Sequence, residues 1–402
     1  MARPRFEVAD VFREYGEDYR KRYGHSMSPE QRRAMRAIEI CRTPDLGGHV
    51  DKCDACGHQV ISYNSCRNRH CPKCQCLAKA RWLEARRAEV LPVEYYHVVF
   101  TLPHRLAPLA LQNKSVIYNL LLQAASKSLL TIASDPKHLG AKIGFLAILH
   151  TWGQTLMHHP HVHCVVTGGG LSPDEQRWVP CRKGYFLPVP VLSPLFRRFF
   201  LQSLEAASSK GALKFHGEIQ HLADAAVFKA LVQACRSQKW VVYAKRPFGG
   251  PDKVLDYLGR YTHRIAISNH RILDIKNGEV TFTWKDYKSD GKQRIMTLKA
   301  HEFIRRFLLH VLPDGFVRIR YYGLLANCHR ARKLARCREL LNVREPDCEN
   351  PEKQNWVQLL IVLTGKNPLQ CPNCEEGRMV PVQNLDPAPY LSTRSPPRAP
   401  SP

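Results

Sequence analysis

Acidic side chains are the scarce charge in this sequence: 35 Asp and Glu stand against 60 Lys and Arg, leaving +25 over 402 residues. That balance sits poorly with an enzyme of small metabolites and points to a polyanion, DNA or RNA first, as partner. Long apolar runs are also missing. Leu359–Leu363 is about the longest clean aliphatic stretch, far short of the roughly 20 residues of a membrane span. The first residues are charged throughout and lack the apolar segment of a secretory leader. The expectation is therefore a cytoplasmic, nucleoid-associated protein. In that compartment the 15 Cys read as metal ligands or core residues rather than disulfides. Neither a GxGxxG fingerprint nor a GxxxxGK[ST] phosphate loop occurs, which argues against a nucleotide-driven motor. No internal repeat is present.

What remains is an irregular alternation of helical and strand-like segments with tight hairpins. It predicts an α+β fold, largely antiparallel. Residues 1–45 read as a helical segment, with Ser28 as a helix cap and Pro29 at the first helical position. A zinc-binding domain is expected over 46–90, a catalytic domain over 91–310, and a basic helical region over 311–380. Within these, 77–90 reads as a helix, 94–101, 143–152, 161–167 and 239–244 as strands, and 253–263 as a helix. The tail 381–402, rich in Pro, Ser and Arg, is expected to be disordered.

Two CxxC knuckles, Cys53/Cys56 and Cys71/Cys74, are separated by fourteen residues. Each places two thiolates on a tight turn, so the pair predicts one structural Zn²⁺ held by all four. Cys66, His70, Cys76 and His49 lie in or beside the stretch as bystanders or as ligands of a swapped or second site. Arg67, Arg69 and Lys73 decorate the knuckle and are expected to meet phosphates. Cys371/Cys374 is half of another site, with Cys328, His329, Cys337 and Cys348 as conceivable partners.

His161 and His163 share one face of a strand, a ready pair of divalent-metal ligands if they are not hydrogen-bonded structural histidines. A chain turn at 158–160 would set Gln154 opposite them. Gln154 is therefore preferred over His150 as third ligand. The HxHxDH spacing of a dinuclear hydrolase is absent. Downstream, Asp252 caps a helix on which Tyr257 and Tyr261 stand one turn apart, with Arg260 and Arg264 nearby. They are either a core aromatic pair or two nucleophilic phenols.

Four segments together carry a resemblance: CRTPDLGGHVDKCDACGHQVISYNSCRNRHCPKCQ, LHTWGQTLMHHPHVHCVVTGGGLS, VLDYLGRYTHRIAISNHRI and YYGLLANCHRARKLARCREL. Over about residues 30–380 the chain resembles transposases of the insertion-sequence ninety-one type, in the HUH endonuclease superfamily. The resemblance implies an antiparallel sheet backed by helices, with the histidine pair on a central strand. It implies a structural zinc on Cys53, Cys56, Cys71 and Cys74, and a catalytic Mg²⁺ or Mn²⁺ on His161 and His163. It further implies Tyr257 and Tyr261 as nucleophiles that nick and rejoin single-stranded DNA at transposon ends and targets through 5′-phosphotyrosine links, in rolling-circle transposition. Strand separation would then fall to a host helicase or replication machinery. Two rivals stand beside this reading: a plasmid replication initiator or relaxase with the same chemistry, and a non-catalytic zinc-dependent nucleic-acid binder.

Overall fold

A computed structural model of the chain describes residues 4–182, 184, 186–245, 253–254, 257, 259, 265–286, 289, 291–343, 357–358, 360–361 and 365–388, without the side chains of 76–78. Helices α1 (Val8–Tyr23) and α2 (Pro29–Glu39) open it. Ser28 Oγ accepts the Gln31 N–H, and the Gln31 side chain accepts the Ser28 N–H. This reciprocal cap, with Pro29 in the first turn, starts α2 where the sequence predicts. A small hairpin, β1 (Gly48–Cys53) and β2 (Gln59–Tyr63), leads to α3 (Gln75–Arg87).

The centre of the chain supplies β3 (Tyr95–Thr101), α4 (Ala107–Gln112), α5 (Lys114–Ser134), β4 (Lys142–Trp152), β5 (His158–Leu171) and β6 (Trp178–Pro180). It continues with α6 (Val189–Ser209), α7 (Ala225–Ser237) and β7 (Val242–Lys245). Then come β8 (Ile272–Lys276), β9 (Glu279–Asp286), β10 (Lys292–Lys299), α8 (Ala300–Leu309), β11 (Ile319–Gly323), α9 (Arg330–Leu340) and β12 (Met379–Leu385). The fold is α+β, and every strand pairing recorded among the described residues is antiparallel.

The central sheet runs β11-β4-β5-β3-β7, with β6 added beside β5. Its two faces are distinguished by strand parity. Val162, Cys164 and Val166 of β5, Phe145, Ala147 and Leu149 of β4, and Tyr96, Val98 and Phe100 of β3 point into the main core. There they meet Leu121, Leu122 and Leu129 of α5 and Phe196 and Phe200 of α6. Helix α5 is long and apolar enough to cross a membrane by length and composition, more so than the sequence reading allowed. Most of it is buried against this sheet, so it is a core helix. The other sheet face carries Leu146, Ile148, Val165 and the histidines of the site.

A second sheet, β10-β9-β8, packs with α8 against α1 and α2. Its β8–β9 turn holds Asn277 and Gly278 at φ of 52° and 77°, the two left-handed positions that a two-residue hairpin requires. Residues 1–45 are thus half of a core shared with residues 265–311. A third sheet runs β12-β1-β2. The expected disordered tail is corrected here. Residues 379–385 form a strand because β1 offers an open edge, with Gly48 paired to Leu385 and Cys53 to Met379. Residues 389–402 lie outside the described ones. The central sheet likewise runs past 310, since β11 pairs with β4.

Gly323 ends β11 at φ 64°, and a Cβ there would fall onto the Ile143 carbonyl of β4. Gly315 has a similar φ of 68° with open space around it. Gly323→Ala should therefore cost at least about 2 kcal/mol, and Gly315→Ala only about 1 kcal/mol. Urea midpoints followed by near-ultraviolet circular dichroism check this, and equal losses would show that the close approach at Gly323 is unimportant.

Candidate nucleic-acid cleavage site and its metal cages

The β4–β5 hairpin builds the centre. Strand β4 extends to Trp152, residues 153–157 make the turn, and β5 begins at His158. His150 is then the register partner of His161, and Ile148 of His163. Side chains of register partners share a face, so His150, His161 and His163 meet. Their ligand nitrogens all lie within 4.8 Å of one another. The place opposite His161 that was expected for Gln154 is taken by His150, because the turn comes earlier than expected and includes Gln154. The Gln154 carbonyl accepts a hydrogen bond from Arg271 at 2.6 Å.

The geometry suits a divalent cation. His161 Nδ1 donates to the His159 carbonyl at 2.7 Å, which orients the ring. His150 is buried and stacks on Trp152 at 4.7 Å between ring centroids. Imidazole ligands favour Mn²⁺ or Zn²⁺ over Mg²⁺.

On the same face β3 adds His97, a residue the sequence reading missed because it belongs to no motif. Its strand parity with Tyr95 was the available signal. His97 Nε2 lies 2.8 Å from His163 Nδ1 and 2.5 Å from the Tyr257 hydroxyl, which is itself 3.4 Å from His163 Nδ1. Burial, with Lys245 and His161 nearby, pushes His97 down to about 3. Burial thus favours the neutral imidazole, whose Nε2 lies within hydrogen-bond distance of the phenol. Tyr257 sits on helical backbone beside Val254, which packs onto Tyr95, Leu146, Ile148 and Val165. Two residues further, Gly259 lies so close to α3 that a Cβ would meet Leu83 Cδ1 at 2.9 Å and Lys79 Cε at 3.1 Å. Tyr261, Arg260 and Arg264 lie outside the described residues.

The expected zinc quartet is divided between two cages. Cys71 and Cys74 join Cys41 and Cys66, with ligand atoms all within 4.8 Å. Cys74 Sγ is 3.5 Å from Cys41 Sγ and 3.6 Å from Cys66 Sγ, close to the edge of about 3.8 Å that a tetrahedron with Zn–S bonds of about 2.3 Å requires. Hydrogen bonds from Cys41, Cys66 and Cys71 pull the Cys74 thiol far down, while contacts led by Cys41 push Cys66 and Cys71 up. Four thiols this close lose their protons readily only with a cation among them.

Cys53 and Cys56 lie instead with Cys371 and Cys374. The separation follows from β2, which leads the chain away from the first knuckle before the second begins. His70 Nε2 accepts the Leu312 N–H at 3.4 Å, and His49 faces Asp51; neither joins a cage. The Cys76 side chain lies outside the described ones. Of the three cations expected at phosphates, Arg67 is exposed. Arg69 donates to the Phe316 carbonyl at 2.9 Å and Lys73 pairs with Glu7 at 2.5 Å, both turned inward. Each of these two head groups thus has a partner within the protein.

The chain is similar to known transposases. Residues 144–333 match a family model described as "Putative transposase", and residues 11–102 match one described as "Transposase zinc-binding domain". A Sinorhizobium fredii protein named "Putative transposase y4qJ" is 55% identical over 387 residues, covering 96% of this chain and 97% of that protein. The Pseudomonas savastanoi pv. phaseolicola transposase for insertion sequence element IS801 is 28% identical over 324 residues, covering 76% of this chain and 73% of the relative. No solved structure matches the chain.

Manganese titration distinguishes the two candidate third ligands. His150→Ala should weaken Mn²⁺ binding by at least about tenfold, and Gln154→Ala should leave it within about twofold. Isothermal titration calorimetry reads both, and the opposite ranking would return the third place to Gln154.

Proposed function

Because the chain belongs to the insertion-sequence ninety-one type of transposases, we propose that it nicks and rejoins single-stranded DNA through a phosphotyrosine link on Tyr257, in rolling-circle transposition. The observation that carries this is the Tyr257 hydroxyl, 2.5 Å from His97 Nε2 and 3.4 Å from His163 Nδ1, on the sheet face of the histidine cluster. A phenol placed only for packing has no need of two imidazoles at its oxygen.

His97 holds the Tyr257 hydroxyl at the edge of the histidine cluster, so that its oxygen points at a phosphodiester lying over His150, His161 and His163. Lys245, the register partner of His97 on the edge strand β7, is exposed on the same face and offers a cation to the DNA backbone. A Mn²⁺ or Mg²⁺ ion held by the three histidines, when bound, supplies Lewis-acid polarisation of the phosphodiester. Attack forms the Tyr257 Oη–P bond and breaks the P–O3′ bond. The phenolic proton is lost and the departing 3′ oxygen gains one, leaving a free 3′-OH and a 5′-phosphotyrosine. A later 3′-OH attacks the ester, re-forms a phosphodiester and restores the phenol. Bond energy is conserved, so no nucleotide hydrolysis is required. Tyr261, one helical turn further along the sequence, is the proposed second nucleophile for the other transposon end or the target. Strand separation would come from host replication machinery in the cytoplasm.

With labelled single-stranded DNA, Tyr257→Phe and Tyr261→Phe should each reduce the covalent adduct and abolish transposition, and the double variant should form no adduct. Phe keeps the ring packing, so loss of folding does not mimic the result. Adduct on a different residue in the double variant, located by mass spectrometry, would reject the proposal.

A further inference from the structure

The zinc-binding family match ends at residue 102, yet a thiolate cage closes between the two ends of the chain. We propose that Cys53, Cys56, Cys371 and Cys374 form a second zinc site, and that its metal is what fastens β12 onto the N-terminal hairpin. Cys53 Sγ lies 3.7 Å from Cys374 Sγ, and Cys56 Sγ 3.7 Å from Cys371 Sγ. These are two opposite edges of one tetrahedron, and both match the edge of about 3.8 Å set by Zn–S bonds of about 2.3 Å. A disulfide, with its bond of about 2.05 Å, does not fit such spacings.

The two halves are built alike although they lie more than 300 residues apart. The Gly57 N–H donates to the Cys53 carbonyl, and the Glu375 N–H to the Cys371 carbonyl. Both fourth positions are left-handed, Gly57 at φ 76° and Glu375 at φ 58°. The Cys53 N–H returns to the His58 carbonyl, and the Cys371 N–H to the Gly377 carbonyl. Backbone N–H groups aim at sulfur on both sides: Cys56 at Cys53, Asn373 at Cys371, Gly377 at Cys374, each at 3.4 Å. Such donors stabilise thiolate over thiol. Where the knuckles meet, Gly377 touches Cys53 so closely that a Cβ would strike its sulfur.

Packing alone does not hold this assembly. Its buried apolar cluster consists of Cys53, Cys371 and Met379, with Val60 and Cys374 partly buried beside them. Val380 and Val382 of β12 are exposed. Three strands with so little core need another source of stability, and a metal cage is the one present. This inference is independent of the tyrosine chemistry.

Full-length protein carrying His161→Ala and His163→Ala, so that zinc on the histidine cluster is not counted, should contain two zinc ions per chain by elemental analysis, and the cysteine variants are compared in that background. Cys371→Ser/Cys374→Ser should lower this to one, and so should Cys41→Ser/Cys66→Ser. Hydrogen exchange gives the second readout. In the Cys371/Cys374 variant the amides of 379–385 should exchange at the rate of unstructured chain, while those of β4 and β5 stay protected, which separates release of the clasp from global unfolding. Cys374→His, which keeps a zinc ligand, should retain two zinc ions and the protection of β12. Two zinc ions in the Cys371→Ser/Cys374→Ser protein would overturn the site. One zinc ion with β12 still protected would overturn its fastening role.

Discussion

The register of β4 on β5 is the constraint from which the site follows. Pairing His150 with His161 and Ile148 with His163 sends the intervening residues Leu149, Val162 and Cys164 into the core. A slip by one residue would turn three histidines into the apolar layer against α5 and α6 and expose those side chains, so burial of the opposite face holds the histidines in place. The cost of burying imidazoles is met by partners. His97 bonds His163, His161 donates to a carbonyl, and His150 stacks on Trp152. Each contact fixes the orientation of its ring.

Stability in the rest of the molecule is divided unevenly. The central sheet and its helices rest on a large apolar core, and α1 and α2 on a second one shared with β8–β10 and α8. The three-stranded sheet of β1, β2 and β12 has almost none. That is where half the clustered cysteines lie, consistent with metal ligation replacing burial in a small unit. The other cage is set into the second core, with Cys41 and Cys71 buried among its apolar residues.

Much of this was legible in the sequence wherever a short-range pattern carried it. The strand-like runs at 94–101, 143–152 and 161–167 became β3, β4 and β5, and the Ser-Pro start placed α2. The spacing of the knuckles announced thiolate cages. What spacing could not convey was which knuckle meets which. A CxxC turn presents two ligands and is indifferent to the source of the other two. The partners were decided by β1 having a free edge for a strand more than 300 residues away. Gln154 was misplaced because the turn falls at 153–157, where Leu156 adopts φ 63° without the Gly that usually marks such a position. His97 had no motif to announce it. Arg69 and Lys73 sit in a basic run, but composition does not show which head groups are spent on Phe316 and Glu7.

The first thiolate cage and Tyr257, the proposed nucleophile, are linked by a single helix. Cys74 is both a ligand of the first cage and the N-cap of α3, whose 13 residues span about 20 Å at about 1.5 Å each. Along that length Lys79 and Leu83 press on Gly259, two residues from Tyr257. The other side of the tyrosine helix rests on the sheet through Val254. The phenol is thus fixed between a surface set by strand register and a surface set by thiolate geometry. An oxygen that must approach phosphorus in line tolerates displacements of well under an ångström. A cage of four sulfurs restricts the start of α3 more tightly than surface packing of a basic, weakly amphipathic helix would. On the proposed chemistry, the knuckle contributes by holding α3, and through Lys79 and Leu83 the segment that carries Tyr257, against the histidine face.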